Sequence, residues 1–278
     1  MPELAEVKFY ANQWVPCLGQ RVERVRCQEG KRVFRRCDFP ALSGLDSEIL
    51  QSMQTHGKQM LFGFSGGLWL HLHLGMAGRL QRGPRETTPS KHDHLILYTN
   101  EAALVYNDSR MFGEIRCYRS VDGEPPFWKR LPPEVTTPAF TREFLGNVLR
   151  RHARAPLKAI LLRQEFFPGV GNWMADEILW RSGIHPACPG GRVRGVKLSE
   201  LHRRVREVAE DALRVIATDW GDPPDDWLFP HRWRDGGVCP RTGRPLCREV
   251  IGGRTTCYSP ARQRWPEELA GTPPLPSV

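Results

Sequence analysis

Leu68-Trp69-Leu70-His71-Leu72-His73-Leu74 alternates without a break: leucine at every second position, with Trp69, His71 and His73 between. Successive side chains of an extended strand point to opposite faces, so this heptapeptide predicts a strand with one apolar face. It follows Met60–Phe64 across Ser65-Gly66-Gly67, which predicts a hairpin. A second pair stands at His94–Tyr98 and Ala102–Asn107, joined by a Thr99-Asn100-Glu101 turn, and a further strand is predicted at Gly113–Arg119. Several short strands at this spacing predict a β-sandwich or barrel for the first half of the chain.

Working outward, Pro125-Pro126 and Pro132-Pro133 punctuate the chain and predict a linker. Beyond them the period becomes helical. Helices are predicted at Thr141–Arg151, at Pro156–Gln164 with proline at its start, and at Asn172–Arg181, closed by Gly183. Ser199 is expected to cap a fourth, in which Leu201, Val205, Val208, Ala212 and Val215 recur at helical spacing. Gly, Thr and aromatic residues return over Val238–Trp265 and favour a hairpin. The last residues, 268–278, are rich in proline and read as a flexible tail. The fold class is therefore α+β.

The chain has 278 residues, a net charge of +9 and a sequence pI near 9.4. Gly and Pro number 26 and 24, an excess that suits turns and functional loops rather than a helical bundle. No apolar run is long enough for a membrane span and no secretory core opens the chain. The eight cysteines contain no C-x-x-C pair and read as reduced thiols of a cytosolic protein. Of the 40 cations only seven are lysine. They cluster: six against one acid over Arg142–Arg163, six against one over Arg192–Arg206, and eight against two over Arg232–Arg264. Codon usage alone yields an Arg-rich surface, but local clusters suit a polyanion partner, since the guanidinium fork grips phosphate oxygens in pairs.

The amino terminus carries the most specific chemistry. In Met1-Pro2-Glu3-Leu4-Ala5-Glu6-Val7, removal of Met1 exposes the secondary amine of Pro2. Such an amine, with a reference pKa near ~8, is partly unprotonated at neutral pH. Its attack on a sugar aldehyde carbon gives an iminium that has no N–H to lose and stays an electron sink. Glu3 and Glu6 stand beside it as candidate acid and base. His56-Gly57-Lys58-Gln59 offers Lys58 for a phosphate or a proton. Lys91-His92-Asp93-His94 groups titratable residues, but on one strand they cannot all face one ion, so a phosphate contact by His92 is favoured over a metal. The Phe166-Phe167-Pro168-Gly169-Val170-Gly171-Asn172 turn opens a helix and exposes backbone N–H groups to an anion. Gly252-Gly253-Arg254-Thr255-Thr256 puts Arg254 at a hairpin tip.

Together and in this order, Pro2-Glu3-Leu4, Gly57-Lys58, the Phe-Pro-Gly-Val-Gly-Asn turn running into Trp173-Met174-Ala175-Asp176-Glu177, Gly183-Ile184-His185-Pro186 and Gly-Gly-Arg-Thr-Thr resemble the formamidopyrimidine-DNA glycosylase / endonuclease VIII family of base-excision repair. The resemblance spans residues 2 to 265. It implies an N-terminal catalytic β-sandwich over 1–133, a helix–two-turn–helix DNA-binding domain over 134–222 and a β-hairpin finger over 223–267. It also implies a bifunctional glycosylase and abasic-site lyase that removes oxidised bases from double-stranded DNA by β,δ-elimination. Pro2 matches the nucleophile, Glu3 the acid, Glu6 the supporting carboxylate and Lys58 the strand lysine. His92, Arg110, Asn172 and Arg254 match phosphate-gripping positions. Met76, Arg110 and Phe112 match residues that fill the void left by a flipped nucleotide, although Met76 and Phe112 also suit a core. A monomer in the cytoplasm, on the nucleoid of a bacterium or in the nucleus of a eukaryote, is expected. A non-catalytic binder of damaged DNA with the same fold is the alternative.

The sequence departs from the family pattern at the finger. Where the resemblance implies four zinc-binding cysteines, the chain has Cys239, Thr242, Ser259 and Arg262. A zincless finger with no cofactor is therefore expected, the alternative being a makeshift site of His231, Cys239, Cys247 and Cys257. The link Asp219–Trp227 is also short where the guanine-specialist branch has a longer loop over 8-oxoguanine, while Met76, Arg110 and Phe112 look like that branch. The preferred lesion stays open at this point.

Overall fold

Leu68, Leu70 and Leu72 of the alternating stretch are buried in one apolar core with Phe62, Leu95, Leu97, Leu104 and Tyr106. The computed structural model describes residues 1–264, so the 268–278 tail lies outside the described residues. The chain divides into two compact units: Met1–Pro132 with Leu213–Gly221, and Pro133–Ala212 with the described residues from Asp222 on.

The first unit holds eight strands: β1 (Val22–Cys27), β2 (Leu50–His56), β3 (Gln59–Phe64), β4 (Leu68–His73), β5 (Arg79–Pro84), β6 (Asp93–Thr99), β7 (Ala102–Asn107) and β8 (Glu114–Arg119). They form two antiparallel four-stranded sheets, ordered β1-β6-β7-β5 and β2-β3-β4-β8. Each sheet buries one face against the other, the two-layer solution open to strands that are apolar on alternate residues. The helix α1 (Leu4–Asn12) buries Leu4, Ala5, Val7 and Ala11. Beyond it, the Trp14 indole N–H donates to the Gln81 carbonyl at 3.1 Å. The unit also holds two short helices, α2 (Phe39–Ser43) and α3 (Pro126–Lys129).

The expected strands at 60–64, 68–74, 94–98, 102–107 and 113–119 are present within a residue or two. One expectation needs correction. The face of β4 carrying Trp69, His71 and His73 is covered: Phe127 of α3 stacks edge-on against His71 at 5.2 Å, and burial drives that imidazole down to about 3. Pro125-Pro126, expected to be linker, thus opens a short helix that covers the sheet, since proline suits a first helical turn.

The second unit holds α4 (Arg142–Arg151), α5 (Leu157–Leu161), α6 (Asn172–Ser182) and most of α7 (Gly195–Val215), followed by the hairpin β9 (Cys247–Ile251) and β10 (Arg254–Tyr258). Thr141 caps α4, its hydroxyl accepting the Phe144 N–H at 3.0 Å. Gly183, at φ +64°, ends α6 as expected. Ser199 does not cap α7: the helix begins four residues earlier, and the Ser199 hydroxyl bonds back to the Gly195 carbonyl at 3.4 Å. A serine signals a cap only where the helix has not already formed.

Candidate active site and nucleic-acid contacts

In the first unit the predicted catalytic residues open α1. Glu3 is its N-cap, and Glu3 and Glu6 form a capping box in which the Glu3 N–H donates to Glu6 Oε2 at 3.1 Å. Glu3 is buried, while Pro2 and Glu6 remain partly exposed. One device thus starts the helix and holds two carboxylates next to Pro2 in the chain. Lys58 lies in the tight β2–β3 turn, where Gly57 takes the φ of +56° that this turn needs. The turn brings its ammonium near His73, whose pKa is lowered first by burial and then by that charge.

Two loops carry the predicted void-filling residues, and they press backbone to backbone. A Cβ on Gly75 would come within 2.3 Å of the Phe112 carbonyl carbon, so only glycine permits the approach. Buried Asp108 shapes the second loop, accepting the N–H of Arg110 at 3.1 Å and of Gly113 at 2.8 Å. Met76 is 39% and Phe112 46% exposed, so neither packs a core. The guanidinium groups of Arg110 and Arg32 lie 5.2 and 5.3 Å from the Phe112 ring. His92, Asp93 and His94 do not converge. Asp93 accepts from Asn107 and from the Ser90 N–H, both at 2.7 Å, and His94 Nε2 lies 2.9 Å from the Asp108 carbonyl oxygen. His92 stays partly exposed, and the Asp108 N–H donates to its carbonyl at 3.0 Å.

In the second unit Asn172 is the first residue of α6, and its Nδ2 donates to the Thr255 carbonyl of β10 at 2.9 Å. Gly252 and Gly253 make the hairpin tip with φ of +61° and +75°, and exposed Arg254 follows. The tip rests on α5: a Cβ on Gly252 would meet the Ala159 methyl at 2.7 Å. Asn172 and Arg254 are thereby brought to one place. Beneath them is a set of buried charges that the sequence reading missed. Lys158 donates to the Asn172 carbonyl at 2.6 Å and to Asp176 Oδ1 at 2.5 Å. Asp176 Oδ2 accepts from Arg232 at 2.6 Å and from the Cys257 N–H at 3.0 Å. A lone lysine inside the apolar run of α5 was the available signal.

The four finger positions also meet. Cys239 Sγ accepts the Trp180 indole N–H at 3.4 Å, and the Arg241 and Arg262 guanidinium groups lie 4.7 and 5.3 Å from the Trp180 ring. Burial alone pushes a thiol up. Here hydrogen bonds from the Thr242 and Ser259 hydroxyls, the indole and the Arg241 backbone outweigh it and bring Cys239 down to about 7. One thiol, two hydroxyls and a guanidinium, which has no acceptor, do not make a zinc donor set. Nor do the alternative ligands gather. His231 Nε2 lies 2.7 Å from the Asp225 carbonyl, burial pushes Cys257 up to about 12, and among the described residues no three His, Cys, Asp or Glu side chains could hold a metal.

The chain matches two family models: the formamidopyrimidine-DNA glycosylase N-terminal domain over residues 1–115 and the formamidopyrimidine-DNA glycosylase H2TH domain over residues 131–221. It is 33% identical over 283 residues to the formamidopyrimidine-DNA glycosylase of Roseiflexus sp. (strain RS-1), covering 95% of this chain and 100% of the relative. With that of Thermus thermophilus it shares 32% over 275 residues, covering 95% and 98%. Among solved structures, the Lactococcus lactis Fpg complex with DNA containing an oxidised pyrimidine matches at TM-score 0.85 and 24% identity, covering 95% of this chain and all of that one. The same bacterium's enzyme bound non-covalently to abasic-site DNA matches at TM-score 0.82. At these identities the solved structures speak to the fold: a two-sheet β-sandwich, a helical domain and a terminal β-hairpin.

Proposed function

The chain belongs to the formamidopyrimidine-DNA glycosylase family, and from that premise we propose that the amine of Pro2, freed by removal of Met1, is the nucleophile of a bifunctional DNA glycosylase and abasic-site lyase. The capping box at the start of α1 carries this reading, because it sets Glu3 and Glu6 beside Pro2.

The Pro2 nitrogen attacks C1′ of the damaged nucleoside. The C1′–N bond to the base breaks, and Glu3 protonates the sugar as it opens. The product is an iminium between Pro2 and C1′. Loss of a C2′ proton to a carboxylate sends electrons into the iminium and expels the 3′ phosphate, and a second elimination expels the 5′ phosphate. Glu6 steadies Glu3 through its N–H, and Lys58 supplies a positive charge at the strand turn. In the first unit His92 and Arg110 hold phosphates, while Met76, Arg110 and Phe112 fill the space of the everted nucleotide. In the second, Asn172 and Arg254 hold phosphates. The division into residues 1–133, 134–222 and 223–267 follows these roles.

The partner is double-stranded DNA carrying oxidised bases or abasic sites, and the acting species is a monomer. None of the described helices is long and apolar enough to cross a membrane. Work on chromosomal DNA implies a protein at the nucleoid of a bacterial cytoplasm. The finger closes without zinc: the hydroxyls and the indole around Cys239 take the place of metal ligands. Metal analysis of purified protein tests this, and one zinc per chain would overturn it.

Borohydride reduction in the presence of abasic-site DNA tests the reaction. Protein lacking Met1 is expected to be trapped through Pro2. Tight binding with no adduct would mean a DNA binder without catalysis.

A further inference from the structure

Two stretches of the second unit contain no acid: none stands between Glu143 and Glu165, and none between Glu177 and Glu200. The fold lays one against the other. The Gly190 N–H donates to the Ala155 carbonyl and the Gly191 N–H to the Ala153 carbonyl, both at 3.0 Å. Only glycine permits this approach, since a Cβ on Gly191 would come within 2.8 Å of the Ala153 methyl. Cations near the end of α4 are thereby set beside those that lead into α7. Lys158 and Arg181 of these stretches are buried and paired, and Arg163 faces Glu165 at 3.7 Å. The other six, Arg150, Arg151, Arg154, Arg192, Arg194 and Lys197, are exposed and form no ion pair among the described residues. Arg150 bonds the Asn147 amide oxygen and Arg194 Nε the Gly191 carbonyl at 2.8 Å, neutral partners that leave the charges uncompensated.

Neither codon usage nor helix chemistry accounts for them. Further along α7 the chain pairs its arginines: Arg203 and Arg204 with Glu200 and Glu207, and Arg206 with Glu210. Arg150 and Arg151 suit the negative end of α4, but Arg154 lies beyond it. Arg194 and Lys197 stand at the start of α7, the positive end of that helix, where a cation is disfavoured. Like charges crowded on one surface repel, and no carboxylate offsets these. Such an arrangement needs a polyanion from outside the chain. The surface also continues into the turn that opens α6. Arg163 Nη1 lies 3.2 Å from His152 Nε2, and the His152 ring rests on Phe166 at 5.3 Å. Phe166 begins the turn that ends at Asn172, a proposed phosphate contact.

We propose that Arg150, Arg151, Arg154, Arg192, Arg194 and Lys197 form a second DNA-binding face, which holds phosphates of undamaged duplex outside the lesion. This rests on duplex DNA as the partner and not on the Pro2 reaction. Guanidinium forks suit phosphate oxygens, and contacts to phosphate alone carry no sequence information. The face therefore serves affinity for any duplex and travel along it, while choice of the lesion stays with the active site. The phosphates belong to the flank of the duplex under repair or to a second duplex.

Two triple variants test the face: Arg150→Gln, Arg151→Gln and Arg154→Gln together, and Arg192→Gln, Arg194→Gln and Lys197→Gln together. On undamaged duplex of about 30 base pairs, each is expected to reduce the slope of log affinity against log salt by about 3. Affinity at about 0.1 M salt is expected to fall about 10- to 100-fold. The control, Arg203→Gln, Arg204→Gln and Arg206→Gln, removes the same net charge and is expected to change the slope by less than about 1. Single-turnover cleavage of abasic-site DNA at saturating protein is expected to stay within about twofold for both face variants. The variant at 192–197 is expected to melt no lower than the parent, since it removes cations from the positive end of α7. Binding of more than one duplex per protein at saturation assigns the phosphates to a second duplex, and binding of one assigns them to the flank. Slopes and affinities equal to the parent's, or an equal loss in the control, overturn the proposal alone. A parent protein with no affinity for duplex DNA overturns the reading of its partner, and this proposal with it.

Discussion

Lys158 Nζ lies 2.5 Å from Asp176 Oδ1, and neither side chain has any exposure to solvent. The lysine also holds the Asn172 carbonyl, while the carboxylate's other oxygen holds Arg232 and the Cys257 N–H of β10. A buried charge is tolerable only when paired and fully hydrogen-bonded, and this one carboxylate serves two cations and a backbone donor. The start of α6 and the strand behind Arg254 are thereby fixed to the same group.

Removing that carboxylate strands two buried cations. Asp176→Ala is expected to lose about 3–5 kcal/mol of stability, read from the midpoint of denaturant unfolding. Lys158→Met leaves Asp176 paired with Arg232 and is expected to lose less. Equal midpoints for all three proteins would contradict the network.

Glu3 acts on the sugar in the proposed reaction, and Glu6 acts through it. Glu3→Gln is therefore expected to lower base release by about 10²- to 10⁴-fold, the usual range for a positioned acid–base group. Single-turnover excision from an oxidised-base duplex measures this. Full activity would remove Glu3 from the mechanism.

Arg254 stands exposed beside the hairpin tip. Arg254→Ala is expected to weaken DNA binding evenly across sequences and to reduce the slope of log affinity against log salt by about 1. Titrations at several salt concentrations test it, and an unchanged slope would mean that Arg254 touches no phosphate.

Cys239 titrates at about 7 in the folded protein, below the ordinary thiol value of 9.0. A group whose pKa is depressed by folding stabilises the fold above its unfolded pKa, and that contribution is lost as pH falls through the folded value. The melting temperature is thus expected to gain a component between pH 7 and 9 that is lost as pH falls through about 7. Cys239→Ser should lack that component, since a serine hydroxyl does not ionise in this range. Identical pH profiles for the two proteins would count against a thiolate at the centre of the finger.

Much of this was legible in the chain itself. Alternation at 68–74 specified a strand because side chains of extended backbone change face at each residue, and glycines at 252 and 253 marked a turn that demands positive φ. Elements with weaker patterns were not legible. Strands β1, β2 and β5 carry polar residues at many positions, and they are held by pairing with neighbours rather than by a pattern of their own. Ser199 misled for a related reason: a cap signal is local, while α7 already begins at Gly195 and Ser199 lies inside it.

By itself, the sequence determined the proposed reactive groups: a proline next to the initiating methionine, two glutamates one helical turn apart, and clustered arginines. These are properties of residue type and short spacing, which survive in any fold that keeps the local backbone. Only the tertiary structure decided which groups share a place. Met76 and Phe112 became exposed neighbours because two loops press together at Gly75, and Asn172 met the hairpin across more than eighty residues of chain. The surroundings of Cys239 were decided in the same way, by a hydroxyl and an indole brought in from Ser259 and Trp180. Contacts of that range depend on the packing of whole elements, and no short stretch of sequence encodes them.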